Sequence, residues 1–231
     1  VLTVAGGGPL ARAAEAAGSP LVPVLTAVPQ ARAALGALVV SPLVLLERLG
    51  LLPGAAARVA DTVEVVARRR DQLVRPGSVA DDVARRIGRT FPLVHGAAGA
   101  VAVAARRWKA QVNQNAKAPA FWSAQPELCH DELAGWGQHG DVTRQLLTVV
   151  ALRHRGEQPE VARRATAVGE LLAEVVAGVV EVWTEAPDDC ARLFDLALVG
   201  DVVSLHLAAR EGIDPGPVPV AAELGARLQR P

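Results

Sequence analysis

Methionine is absent from these 231 residues, and the first of them is Val1. A complete protein normally opens on methionine, so the expectation is a truncated gene product or an excised domain. An excess of charge of either sign is missing too. Twenty-four Lys and Arg balance 24 Asp and Glu, for a formal net charge of zero. Phosphate binding needs a positive face, so a zero net charge with no basic block argues against nucleic acid as the main partner. Short runs such as Arg68 to Arg70 fall on helical patterns and read as solvated faces. Cysteine is scarce, and Cys129 and Cys190 fit no metal-ligand spacing. With no secretory signal beside them, they read as free thiols of a reducing, cytoplasmic compartment. No apolar run is long and charge-free enough to cross a bilayer. The best, residues 33–46, is one helix of a globular core, so no membrane partner is expected. Gly6-Gly7-Gly8 is not a GxGxxG fingerprint, and no acidic residue follows at the dinucleotide-binding distance. No cofactor and no metal are expected.

What is present is apolar and periodic. Apolar residues make up 51% of the chain, enough for a sizeable core, and the length suits one large or two small domains. Short β-branched runs alternate with longer helical ones, which predicts an α/β fold with mostly parallel sheets. The first part gives strands at 1–5 and 20–24 and helices at 10–17, 31–49 and 55–74. Arg75-Pro76-Gly77 breaks the pattern and sets a boundary between residues 1–75 and 76–231. In the second part, Ser78 caps a helix to Gly88 with Asp81 at the capping-box position. Strands follow at 91–95, 146–152 and 179–183. Helices are predicted at 101–112, 127–136, 160–176, 188–210 and 220–228, and residues 118–126 are predicted as loop. The first unit is the shorter, as if its front half were missing.

One stretch departs from the Ala, Val, Leu, Arg and Gly text around it. Residues 106–136 read RRWKAQVNQNAKAPAFWSAQPELCHDELAGW. Both lysines of the chain, Lys109 and Lys117, lie here. So do both asparagines, Asn113 and Asn115, and four of the seven aromatics: Trp108, Phe121, Trp122 and Trp136. Polar and aromatic residues crowded together in this way mark a candidate site.

This stretch resembles the bifunctional phosphoglucose/phosphomannose isomerases, a branch of the sugar isomerase (SIS) superfamily. That family carries RWKxQxNENAKxPAF, then PExxHNExxGW. Arg107-Trp108-Lys109, Asn113, Asn115-Ala116-Lys117, Pro119-Ala120-Phe121, Pro126-Glu127, His130, Glu132 and Gly135-Trp136 match it. Gly200-Asp201, Ser204, Leu207-Ala208, Gly212 to Pro215 and Pro217-Val218 are similar to its GDxxSxxLAxxxGxDPxPV. Pro29 to Gly36 is similar to its PRAALG segment, and Gly7-Gly8 with Leu10 and Ala11 to its GGxL turn.

The resemblance implies two SIS domains, each a parallel sheet flanked by helices, with the first domain incomplete here. It implies interconversion of glucose 6-phosphate or mannose 6-phosphate with fructose 6-phosphate, in a homodimer where His130 reaches the partner's site. A proton must leave C2 and return at C1, which needs a general base. The family's base is the Glu of NENAK, and that position is Gln114 here, a carboxamide without useful basicity. The ring-opening His matches His130. The family's late Lys falls at Gly225, and its first-domain cation matches Arg32. Its Ser/Thr-rich phosphate turn would lie upstream of Val1. Glu127, three residues before His130, is the nearest other carboxylate and shares a helix face with it. The candidate catalytic set is therefore His130, Gln114 and Glu127. The candidate substrate-binding set is Arg32, Asn113, Asn115, Lys117 and Gly96. Gly96 enters because His95-Gly96 ends a predicted strand at a helix entrance, where N–H groups can meet an anion.

Asn113, Gln114, Asn115 and Lys117 are expected to converge with His130 on one cleft. Its place would be the C-terminal ends of the second sheet's strands, walled partly by Phe121 or Trp122. The substitutions at 114 and 225 predict impaired isomerisation. The alternative is a non-catalytic sugar-phosphate-binding or scaffold SIS protein.

Overall fold

The computed structural model describes residues 1–24, 28 and 30–229. Pro29, which opens the PRAALG-like segment, lies outside the described residues. The chain divides into two compact units, Val1–Asp61 and Thr62–Pro231.

The first unit is a small β-α-β arrangement. β1 (Thr3–Ala5), α1 (Gly8–Ala16) and β2 (Leu21–Pro23) follow in order, and the two strands pair in parallel with Thr3 opposite Leu21. The predicted helix 31–49 divides into a 3-10 turn, Ala31–Ala34, and α2 (Leu35–Arg48). α2 is almost wholly apolar, yet among the described residues none of its side chains is buried. Among the described residues of this unit, the buried apolar side chains are alanines: Ala11, Ala14, Ala34 and Ala55. α3 (Ala55–Leu73) starts in this unit and continues into the second.

The second unit holds a larger sheet. α4 (Val79–Ile87) starts where predicted: Ser78 Oγ accepts from the Asp81 N–H at 3.3 Å. Then come β3 (Phe91–Gly96), α5 (Ala100–Gln111), a π turn over Val112–Ala116, and β4 (Phe121–Ala124). Two 3-10 turns, Glu127–Cys129 and Leu133–Gly135, lead to α6 (Gly140–Leu146). β5 (Leu147–His154), α7 (Pro159–Ala173), β6 (Gly178–Thr184), α8 (Asp189–Arg210) and α9 (Pro219–Leu228) complete it. The four strands are parallel in the order β4-β3-β5-β6.

Two predictions fail locally. The predicted loop 118–126 contains β4. As an edge strand it needs only one ladder, and its exposed Phe121 and Trp122 hide the apolar alternation. The predicted helix 127–136 is two 3-10 turns instead. Asp131 Oδ1 accepts from the N–H of Glu132 at 2.6 Å, a local bond that competes with helix continuation.

Alternation along the strands loads both faces of the sheet. Val94, Val150, Leu152, Val180 and Val182 pack with α4, α5 and α8. Leu93 and Val149 turn to the other face, against Leu128 and Val168 and Leu172 of α7. Trp108 is fully buried in the first layer, and its indole N–H donates to the Leu196 carbonyl at 2.7 Å. It fits because α8 offers Gly200, where an added Cβ would come within 2.3 Å of the ring. Arg69 forks onto the buried Asp195 with two 2.7 Å bonds. Removing Arg69 would strand the buried Asp195 charge, at a cost of about 3–5 kcal/mol.

Candidate functional site

α5 leaves the C-terminal end of β3 and runs back against the strand direction. The π turn that ends it therefore lies at the N-terminal end of the sheet. Lys117 accordingly lines a pocket of about 270 Å³ with Gly88, Phe91, Val112 and Leu207.

Here the two resembling motifs hold each other. Arg107 clasps Asp201 through Nε at 3.0 Å and Nη2 at 2.6 Å, and Gln111 donates to the same carboxylate at 2.8 Å. Asn115 Nδ2 donates to Ser204 Oγ at 2.8 Å, which donates to the Asp201 carbonyl at 2.6 Å. Asn113 Nδ2 donates to the Ala118 carbonyl at 2.8 Å. Lys117 adopts a left-handed backbone, φ 56°, and its ammonium closes on the carbonyls of Gln114 and Pro215. Gln114 differs from these neighbours. It is half-buried, and among the described residues its side chain has no hydrogen-bond partner.

The C-terminal end of the sheet carries a different polar layer, on the α7 side. His95, 4% exposed, donates from Nε2 to Glu132 Oε1 at 2.8 Å, and Ser123 Oγ donates to the other carboxylate oxygen. Burial alone would raise the Glu132 pKa. The hydrogen bonds from His95 and Ser123 outweigh it and hold the carboxyl below its usual range. Next along, Arg153 donates to Glu157 at 2.8–3.0 Å and to Glu181 at 2.6 Å, and stacks on Trp183 at 4.7 Å. A cavity of about 20 Å³ lies among His95, Gln125, Arg153 and Glu181. That is room for one water, beside a buried Gln125 Oε1 that lacks a partner among the described residues. Glu127 and His130 follow β4 in the first 3-10 turn and just past it. The His130 N–H donates to the Glu127 carbonyl at 2.8 Å, and both side chains are exposed.

The expected single cleft is therefore corrected within one chain. Asn113, Gln114, Asn115 and Lys117 lie at one end of the sheet, and His130 and Glu127 lie beyond the other. β3 alone spans six residues, about 20 Å at 3.3 Å each. Arg32 belongs to the first unit, half-buried, and donates to Gln30 at 3.3 Å. Gly96 is buried, and a Cβ there would meet the Val101 carbonyl at 2.7 Å, so the close turn into α5 requires glycine. Phe121 and Trp122 are exposed on the edge strand, while Trp108 is core. The His95–Glu132–Ser123 and Arg153 networks escaped the sequence reasoning. Their signals were polar residues at His95 and Arg153 inside apolar strands, and Glu132 within the matched PExxHNExxGW. Among the described residues, no group of three or more His, Cys, Asp or Glu side chains is placed to hold a metal ion. None of the described helices is long and apolar enough to cross a membrane.

Residues 77–228 match the bacterial phospho-glucose isomerase C-terminal SIS domain. The chain belongs to this family. A bifunctional phosphoglucose/phosphomannose isomerase of Caldicellulosiruptor bescii is 29% identical over 222 residues, covering 94% of this chain and 65% of that protein. A protein of the same description from Aquifex aeolicus is 27% identical over 184 residues, 79% of this chain and 55% of the relative. The chain thus spans less than two thirds of the curated relatives it matches. Solved structures share the fold at lower identity. A glucose-6-phosphate isomerase-like protein from Thermus thermophilus superposes with a TM-score of 0.61 at 20% identity, over 95% of this chain and 74% of that one. The tagatose-6-phosphate ketose/aldose isomerase of Escherichia coli gives 0.64 at 14% identity, over 94% and 62%. Parallel sheets flanked by helices are the fold shared with these phosphosugar isomerases.

Proposed function

We propose that the chain carries the aldose–ketose isomerase site of its family in an impaired form. The reaction is interconversion of glucose 6-phosphate or mannose 6-phosphate with fructose 6-phosphate, in the cytoplasm. One observation carries the reading. In the segment 113–117, the polar side chains on either side of Gln114 are used internally, while the Gln114 side chain has no hydrogen-bond partner among the described residues. A half-buried amide without a protein partner is open to a ligand or to water, and this one stands where the family resemblance places the base. An amide can donate to a sugar hydroxyl but cannot take a proton from C2. Losing a positioned base costs about 10²- to 10⁴-fold.

His130 is the group for ring opening. The separation of Gln114 and His130 by the length of β3 supports a homodimer in which each copy lends its His130 to the other's site. The family match beginning at residue 77 supports a boundary at Arg75-Pro76-Gly77.

The test is turnover of both aldose 6-phosphates by the full chain and by Gln114→Glu. The expected outcome is a native rate below about 1 per second, under the usual enzyme range, and a rise of roughly 10²-fold or more in the variant. A native rate within the usual range would overturn the impairment. The second reading, a non-catalytic sugar-phosphate-binding protein, is favoured by Gln114 itself. Fructose 6-phosphate binding by both forms with turnover by neither would select it.

A further inference from the structure

The turn that carries His130 is tied down by a residue two positions further on. Before it, Leu128 is 1% exposed in the apolar layer under α7. After it, Glu132 is held at both carboxylate oxygens, by His95 at the end of β3 and Ser123 in β4. These two strands are adjacent, with His95 and Ser123 directly opposite in register. His130 itself is exposed between the two anchors, and among the described residues its side chain makes no hydrogen bond. A flexible polar turn would let this imidazole sample many directions. Two fixed points, one apolar and one ionic, restrict it.

We propose that Glu132, through His95 and Ser123, is the positioning residue that aims His130. The proposal rests on His130 acting on a sugar ring, as set out above. Glu132 does not serve as a replacement base. Both of its oxygens are engaged, and its carboxyl is held on the ionised side by those bonds. Its contribution is orientation of a group that acts elsewhere, and a misplacement of about 1 Å can cost up to roughly a hundredfold.

The experiment uses the full chain carrying Gln114→Glu, with Glu132→Ala, Glu132→Gln and Ser123→Ala added singly. Rates are measured with glucose 6-phosphate and mannose 6-phosphate. The His130 ring is followed in parallel by its Cε1–H signal. Glu132→Ala should lower kcat by roughly ten- to a hundredfold with KM within about threefold, and should shift and broaden the His130 signal. Glu132→Gln should recover most of the rate, since an amide can still accept from Ser123 and donate to His95 in its other tautomer. Ser123→Ala, which removes one of the bonds to this carboxylate and fills no new space, should fall between. Unchanged kcat together with an unchanged His130 signal, in Glu132→Ala or in Ser123→Ala if the former does not fold, would overturn the proposal. If Gln114→Glu shows no turnover at all, the functional reading fails separately. The His130 signal then decides alone: a shift in Glu132→Ala reversed in Glu132→Gln supports the anchoring, and no shift refutes it.

Discussion

The two units of this chain use a similar amino-acid vocabulary to opposite effect. In the second unit, valine and leucine alternate along strands and close two apolar layers around a parallel sheet, with Trp108 fully enclosed. In the first, two strands of three residues pair, and among the described residues the buried apolar side chains are four alanines. α2 carries Leu35, Val39, Val40, Leu43, Val44 and Leu45, none of them buried. Composition alone therefore does not make a core. A two-stranded sheet is marginal without further strands or a covering layer, and an alanine buries too little surface to offset the ordering of its own backbone.

The sharpest way to break this contrast is native-state hydrogen exchange on the full chain. Amides of β3, β5 and β6 should exchange only through global unfolding, while those of β1 and β2 should open locally. The gap should be about 4 kcal/mol or more, or a thousandfold in protection. Equal protection in the two sheets would show that the first unit has stability that its buried side chains do not explain.

How far this is visible in the sequence depends on the range of the interaction. The cap at Ser78 and the long helix ending at Arg210 rest on neighbours within a few residues, and both lie where predicted. β4 goes unpredicted because an edge strand of four residues with Phe121 and Trp122 outward has no periodicity to show. The site is legible as a segment but not as a place. Asn115 meets Ser204, and Arg107 meets Asp201, across some ninety positions, and nothing local announces those pairs. Topology alone does separate the two halves of the motif. A helix that leaves a strand's C-terminal end must finish near that strand's beginning, so a motif at the end of α5 cannot share a cleft with a histidine after β4 of the same chain.

A matched pair of glycine substitutions sharpens the same contrast. At Gly200 an added methyl would lie 2.3 Å from the Trp108 ring, inside the second unit's packed layer. Gly200→Ala should cost about 3 kcal/mol, the upper part of the range for overpacking. At Gly36, in α2, no atom of the described residues beyond its chain neighbours and the helix's own backbone lies within 4 Å of the new Cβ. Gly36→Ala should be neutral or stabilise by up to about 1 kcal/mol, because a helical glycine gives up more backbone freedom than alanine. Denaturant midpoints of the two variants check the pair. Tolerance at Gly200 would mean that the layer around Trp108 can yield.

The smallest effect expected is a pH dependence specific to the second unit. His154 closes β5 with its Nδ1 buried and unpaired among the described residues. Burial, then the nearby Arg192, pushes its pKa below the ordinary value of 6.5. Glu157 and Asp189 oppose the shift, and Arg153 adds to it. A histidine whose folded pKa is depressed binds protons more readily when unfolded. Its contribution is therefore complete above about pH 6.5 and is lost as the pH falls from there through the folded value. Thermal unfolding between about pH 7.5 and 5 should show a decline in Tm over this window, and His154→Gln should flatten it. Glu132 also has a depressed pKa, but its loss begins only at the ordinary carboxylate value and runs downward from there, so the two can be told apart. If the decline above about pH 5.5 is the same in His154→Gln, another group is titrating. If β1 and β2 respond to pH in hydrogen exchange while β5 does not, the dependence belongs to the first unit and the assignment to His154 falls.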